Sequence, residues 1–388
     1  MQLDFHYYAT YCAAFLAGCS HEDSLSIARS AQFVDCCSES FLQGVGGPVS
    51  AATTMLQLEM FDANTDPMGL ANITRIWASF HFLPGDLYAE RKKCSRLYRN
   101  KYRLICNPNG ALVKDTVELA RGRGSVAAGV AMHVLADTWA HRYFAGTPSL
   151  AINNTNDHFY ELIPSGDGYE ERQVRFIHNP GAPDDLEKGV YVNTLYQPNE
   201  NTVMNLGHGR AGHLPDYSFM LYKYLPAWGG YREILKDNPS DYWNAFCQMV
   251  YAIGSLKNPD GHFETDRYAE DEVRPYRDRI RQILVRRQPD SCADWKALGE
   301  ELSGCRIPDF DVEIYKKEYM EAEKELRDET ALGQFIIAAL AQKSMVTNRI
   351  FSSGSLLAGF SVELKGKRIP GIQDFRKLLE IRRKNHDR

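Results

Sequence analysis

Residues 125–146 read SVAAGVAMHVLADTWAHRYFAG, and this run limits the fold more than any other part of the chain. Its first half is mostly alanine, glycine and valine, side chains short enough for other helices to pack on every side, so the helix it predicts belongs at the centre of a bundle. Within MHVLADTWAH, His133, Asp137 and His141 recur every fourth residue. Residues four apart on an α-helix are offset by about 40°, which sets the three within an arc of about 80° on one face. A polar group buried without a partner costs roughly 2 kcal/mol or more, and a carboxylate costs more still. Either the histidines bond backbone carbonyls and Asp137 pairs with one of them, or the stripe holds a cation. Three such groups in register favour the cation.

Helical periodicity extends over most of the chain. An apolar, aromatic helix is expected from Phe5 to Ala17, and Gly18 closes a hairpin onto a second helix that Ser20 caps and that runs to Asp35. The glycine-rich GVGGP follows. From about residue 145 to 205, Pro, Gly and Asn signals and β-branched pieces such as RQVRFIH and GVYVNTLY predict a loop-rich excursion with a short hairpin. Helical pattern resumes at PDYSFMLYKYL, continues through DYWNAFCQMVYAIGSL, and returns after Pro308 in one long charged stretch, residues 311–345. The expected fold is all-α: a multi-helix bundle interrupted by that excursion. Its expected division is a helical metal-binding domain over residues 1–250 and a helical extension over 251–388 packed on it.

With 44% hydrophobic and 24% charged residues in 388, the composition is that of an ordinary globular protein. A net charge of -5 offers no general attraction to nucleic acid or to an anionic membrane, so phosphate binding falls to metal or to local basic patches. Two patches are present. One comprises Arg91, Lys92, Lys93, Arg96, Arg99, Lys101 and Arg103; the other, read as a solvated face, is the tail around Lys365, Lys367, Arg368, Arg376, Lys377, Arg382, Arg383 and Lys384. No secretory pattern opens the chain and no apolar run is long enough to span a bilayer, so a cytoplasmic protein is expected. Nine cysteines without a CxxC pair point to free thiols.

Further histidines and carboxylates interrupt apolar segments: His6 in DFHYYATY, Asp35 ending SAQFVD, His81 in FHFLPGD, and His213 with Asp216 in AGHLPD. Imidazole and carboxylate without thiolate, drawn from several helices, suit a catalytic zinc site, with Mn2+ or Fe2+ as alternatives. The number of donors exceeds what one tetrahedral ion takes and predicts two or three ions. A carboxylate then bridges ions, and a water deprotonated near neutral pH attacks phosphorus.

The order of these residues resembles the S1/P1 nuclease and zinc-dependent phospholipase C superfamily, helical phosphodiesterases with three zinc ions. In that pattern an N-terminal residue binds metal through its amine and carbonyl, a His follows five residues later, and an Asp ends a helix. Then come a His in a segment like LHF, a His-x3-Asp followed by His, and a last His with an acid. Met1, His6, Asp35, His81, His133, Asp137, His141, His213 and Asp216 fall in that order, over residues 1–220. The chain also resembles a bacterial group that shares a DFHYYATY-like opening.

The resemblance implies a phosphodiester substrate (nucleic acid, nucleotide or phospholipid headgroup), Met1 as a ligand, Asp35 as the bridging catalytic carboxylate, and Arg91–Arg103 as a source of cations for a flanking phosphate. The chain departs from it in starting with Met, in a His-x2-Asp spacing at the end, and in the four-residue step from Asp137 to His141. His208, or His158 with Glu161, are alternative sources of the last pair. Two other classes also fit the sequence. An HD-type phosphohydrolase needs an adjacent His-Asp in its core, and the one such pair is His386-Asp387 in the polar tail; a non-enzymatic helical scaffold would use the polar residues only to fix packing.

Overall fold

The computed structural model describes residues 1–56, 58–60, 67–85, 104–147, 150–178, 182–193, 207–353, 361–364 and 367–370. Helix Gly124–Ala140 is buried beyond its first turn, at every residue from Ala128 to Ala140. Helices His21–Cys36, Ala111–Ala120, Asn238–Lys257 and Ala331–Ser353 pack around it, and Pro67–Phe80 meets it more briefly. Gly129 shows why small residues are needed there: a Cβ at this position would overlap the Ile27 carbonyl oxygen and lie 2.6 Å from the Ser30 Cβ. The same seam is tied by Ser30 Oγ, which donates to the Val126 carbonyl at 2.6 Å.

The amino-terminal hairpin forms as its residues predict. A π-helical segment, Asp4–Ala9, continues into helix Thr10–Leu16; Gly18 turns the chain at φ +79°, and Ser20 accepts the Asp23 N–H to start His21–Cys36. One apolar core runs from Met1 and Phe5 through the central helix to Trp295, Leu298, Phe335 and Ile350, so helices late in the chain share it with the first ones. No helix among the described residues is long and apolar enough to cross a membrane.

The fold is mixed α/β, which corrects the all-α expectation. Strands β1 (Tyr160–Ser165), β2 (Gly168–Gln173), β5 (Leu221–Tyr224) and β6 (Ile234–Asp237) form an antiparallel sheet in the order β2-β1-β5-β6. Strands β3 (Arg175–Ile177) and β4 (Val190–Val192) pair in parallel, and β7 (Ser361–Leu364) pairs antiparallel with β8 (Lys367–Pro370). The β-branched pieces RQVRFIH and GVYVNTLY hold β3 and β4, which pair in parallel and not as a hairpin; the hairpin of this region is β1–β2, closed at Gly166, φ +55°. The error lies at PDYSFMLYKYL, where Tyr222 and Tyr224 are buried and Leu221 and Lys223 are partly exposed, the alternation of a strand and not of a helix. The pairing of β5 with β1, some sixty positions earlier, is a tertiary event that a local window does not contain.

The charged stretch after Pro308 also divides, into Val312–Glu321, a 3-10 turn over Lys324–Glu329, and Ala331–Ser353. Thr330 restarts the helix, its Oγ1 accepting the Gly333 N–H at 3.1 Å.

Two glycine substitutions test this packing. Gly129→Ala is expected to lower stability by about 1–3 kcal/mol through overpacking, whereas Gly254→Ala, with nothing within 4 Å of the added Cβ, should raise it by about 0.5–1 kcal/mol. Chemical denaturation midpoints of the two variants give the comparison.

Candidate metal centre

The second half of the central helix and several segments packed near it contribute donors. His133 and Asp137 project from the helix and His141 stands at its C-cap. Asp35 comes from the last turn of His21–Cys36, His6 from the π-helical segment, and His81 from the residue after Pro67–Phe80. Met1, just ahead of that segment, brings its buried amine.

Asp137 is the hub. Its Oδ1 lies 3.2 Å from the Met1 nitrogen and 3.2 Å from His6 Nε2, and its Oδ2 lies 3.0 Å from His81 Nδ1 and 3.2 Å from His133 Nε2. Asp35 stands one step back, 3.9 Å from His6 Nε2, His81 Nδ1 and His133 Nε2, with 29% of its side chain exposed. Asp216 forms a second focus, its Oδ1 3.0 Å from the Met1 nitrogen and 3.3 Å from both His141 Nε2 and His208 Nε2.

Backbone carbonyls orient three of the imidazoles from behind. His133 Nδ1 donates to Ala31 at 2.9 Å, His81 Nε2 to Thr53 at 3.1 Å, and His141 Nδ1 to His81 at 2.8 Å. A carbonyl accepts only a proton-bearing nitrogen, so each bond fixes a tautomer and turns the other nitrogen's lone pair toward the carboxylates. His6 differs. Its ring stacks on His133 at 3.8 Å, and both of its nitrogens are buried without a hydrogen-bond partner.

Burial pushes the His6 and His133 imidazoles down to about 4 and His141 down to about 3, so all three are neutral at pH 7. A neutral His133 that donates from Nδ1 has no proton on Nε2, yet that nitrogen faces Asp137 Oδ2 at 3.2 Å. Lone pair against lone pair is repulsive. A cation between them turns the repulsion into coordination. His141 Nε2 differs, for the Met1 amine stands 3.3 Å from it and 3.0 Å from Asp216 Oδ1 and supplies both with a proton.

The charges support this arrangement. Burial alone would raise the Asp137 and Asp216 carboxyls, but the positive charge of the Met1 amine, and of neighbouring imidazoles when they bind a proton, outweighs it and holds both well below the usual range. Burial likewise opposes a charge on the Met1 amine, and Asp137, Asp216 and Asp35 overcome it, raising the amine to about 11. Burial raises Asp35, against the neighbouring His6 and His81.

Three donor groups result: His6 with His133 and Asp137; Asp35 with His81 and His133; and His141 with His208 and Asp216, each with ligand atoms within 4.8 Å of one another. The donors are nitrogen and oxygen throughout, which fits zinc, manganese or iron. Among the described residues the cysteines are free, and Cys36, next to Asp35, turns its Sγ to the Gln32 carbonyl.

Of the residues expected at a site, Met1, His6, Asp35, His81, His133, Asp137, His141 and Asp216 come together, and His213 does not. Its Nδ1 bonds Asp184 at 2.9 Å and its side chain is half-exposed. The short helix Gly207–Ala211 turns His208 inward instead, and Gly212, at φ +56° with Val192 O in the way of any Cβ, reverses the chain so that His213 faces elsewhere. Counting back from Asp216 by one helical turn fails at that glycine. His158 approaches Glu233, and Glu161 is locked by Arg172, Tyr191 and Arg287, so neither joins the centre. Arg91–Arg103 and the His386-Asp387 pair lie outside the described residues.

Fold and site together define a mixed α/β protein that converges histidines, carboxylates and an amine around one buried helix. The chain belongs to the family DUF6765, described as a family of unknown function, whose model matches residues 1–350. No curated protein and no solved structure matches the chain.

The proton affinities set a pH window for the metal-free protein. The three depressed histidines bind protons better unfolded, so their contribution is present above the unfolded value of 6.5 and is lost as pH falls toward 4. The Met1 amine binds its proton better folded; its contribution is present below 8.0 and is lost as pH rises toward about 11. Thermal midpoints of chelator-treated protein should therefore be highest between about pH 6.5 and 8, and a midpoint that climbs as pH falls from 6.5 to 5 would contradict the assignment.

Proposed function

We propose that this protein is a metal-dependent phosphoric-ester hydrolase of the phosphodiesterase type, with a multinuclear site for zinc, or for manganese or iron. The observation that carries the reading is His133, a neutral imidazole aimed by a backbone carbonyl at the buried Asp137 carboxylate with no proton to share. Hydrogen bonding within a scaffold does not account for lone pairs in opposition, nor for His6, buried with both nitrogens unpartnered. The order of donors along the chain, similar to that of the S1/P1 nuclease and phospholipase C superfamily, supports the same reading.

His6, His81, His133, Asp137 and Asp35 would hold the inner ions; His141, His208 and Asp216 would hold the outer one, with the Met1 nitrogen between Asp137 and Asp216. Bound ions supply Lewis acidity toward the phosphoryl oxygens and lower the pKa of water toward neutrality. Asp35 is the carboxylate suited to orient that water, since it faces His6, His81 and His133 while keeping part of its surface open to solvent. The substrate class is a phosphodiester, from a nucleic acid, a nucleotide or a phospholipid headgroup.

Protein purified without chelator should carry two or three equivalents of metal, and His133→Ala or Asp137→Ala should lower both that content and the thermal midpoint. Metal content near zero in the unaltered protein would instead support a scaffold. Asp35→Asn should keep the fold and lose about 10²-fold or more of bis-p-nitrophenyl phosphate hydrolysis; activity within a fewfold of the parent contradicts the role. If the Met1 amine is a ligand, residues added ahead of it should remove metal and activity, while a carboxy-terminal tag should not. Equal values for the two tagged forms would exclude Met1.

A further inference from the structure

A groove of about 560 Å³ runs between helix Asn238–Lys257 and helix Arg277–Val285. Ser240, Trp243 and Asn244 line one wall and Arg277, Arg281 and Leu284 the other, and none of the proposed metal ligands lines it.

Its arginines set it apart. This part of the chain is rich in them, and neighbouring guanidiniums meet acids: Arg274 pairs with Asp271, Arg279 with Glu301, Arg286 with Asp294 and Arg287 with Glu161. Arg277 and Arg281 pair with no acid among the described residues, Glu270 at the edge of the groove included. Both stand instead over the indole of Trp243, their Cζ atoms 6.0 and 5.1 Å from the ring centroid. An aromatic face attracts a guanidinium but leaves its five N–H donors in need of acceptors. The two are also like charges four residues apart on one helix, an arrangement that costs the helix stability. The indole accounts for their position and not for their unbalanced charge. Asn244 adds a side-chain amide that has no partner among the described residues.

We propose that this groove binds a phosphoryl group carrying two negative charges, as the free ion or as the terminal phosphate of a nucleotide. Side chains four apart on a helix start about 5–6 Å from one another, so two guanidinium forks can close on one tetrahedral anion. Phosphate offers acceptor oxygens to both forks and two charges to balance theirs. A carboxylate offers two oxygens and one charge, which a single fork satisfies. The Asn244 amide is a further donor to the same anion, and a groove of this volume takes a nucleotide as readily as the bare ion. The proposal is independent of the hydrolase reading, since it uses no metal and none of the donor residues.

Calorimetric titration of the full chain as purified, with inorganic phosphate, adenosine monophosphate and malonate in turn, tests it. One or both phosphoryl compounds should bind saturably, and more tightly than malonate. Arg277→Ala and Arg281→Ala should each weaken that binding about 10-fold or more and keep the thermal midpoint and metal content, because both side chains are exposed. Arg279→Ala removes the same charge from the same helix, but from a guanidinium already paired with Glu301, and should leave affinity within about twofold. If either alanine lowers the midpoint, Arg277→Lys and Arg281→Lys, which keep the charge and lose the fork, should show the same weakening.

No saturation below about 10 mM overturns the site. Binding that survives both arginine substitutions places the anion elsewhere, the metal centre included, and overturns it too. An equal loss in Arg279→Ala reduces the effect to general charge, and malonate bound as tightly as phosphate overturns the phosphoryl class. Tighter binding of adenosine monophosphate than of phosphate assigns the nucleotide, and the reverse assigns the free ion. The hydrolase reading stands or falls separately, on metal content and ester cleavage.

Discussion

The structure turns on one carboxylate. Asp137 is enclosed in the middle of the molecule, and water does not reach it to solvate its charge. Nitrogens of Met1, His6, His81 and His133 surround its two oxygens at 3.0 to 3.2 Å. Burying a charge this deeply is tolerable only with compensation of that density, or with a cation. The composition of the central helix fits it: the helix that delivers Asp35 must come close, and Gly129 in the central helix lets it do so.

Orientation comes from the backbone. The carbonyls of Ala31, Thr53 and His81 set which nitrogen of His133, His81 and His141 carries the proton. Their positions depend on where a helix runs and where it ends, so replacing the residues that own them would leave the bonds in place. This makes the centre sensitive to helix packing more than to the identity of its outer neighbours.

Access divides the centre by depth. The inner donors are closed to solvent, and Asp35 on one side and the His208–Asp216 rim on the other are the openings. The sheet β2-β1-β5-β6 and the β3–β4 pair lie on the side of the rim. Through Val192 and Asp184 the β4 region fixes the turn that carries His213 and Asp216. The loop-rich excursion read from the sequence, with its short hairpin, thus braces the turn beside the outer face of the site.

The central helix and its stripe of His133, Asp137 and His141 could be read directly, because a helical period and side-chain size are local properties. The amino-terminal hairpin was equally legible in Gly18 and Ser20. What the sequence by itself determined was which residues cannot be solvated and must find partners. Tertiary structure decided which partners they find: β5 pairs with β1 across a long stretch of chain, and Tyr222 and Tyr224 are buried by that pairing and not by helical packing. It also decided between His208 and His213, similar residues five positions apart. Gly212 reverses the chain against Val192 and sends the two imidazoles to opposite sides of the turn, a choice made by a steric contact between segments that no local spacing records.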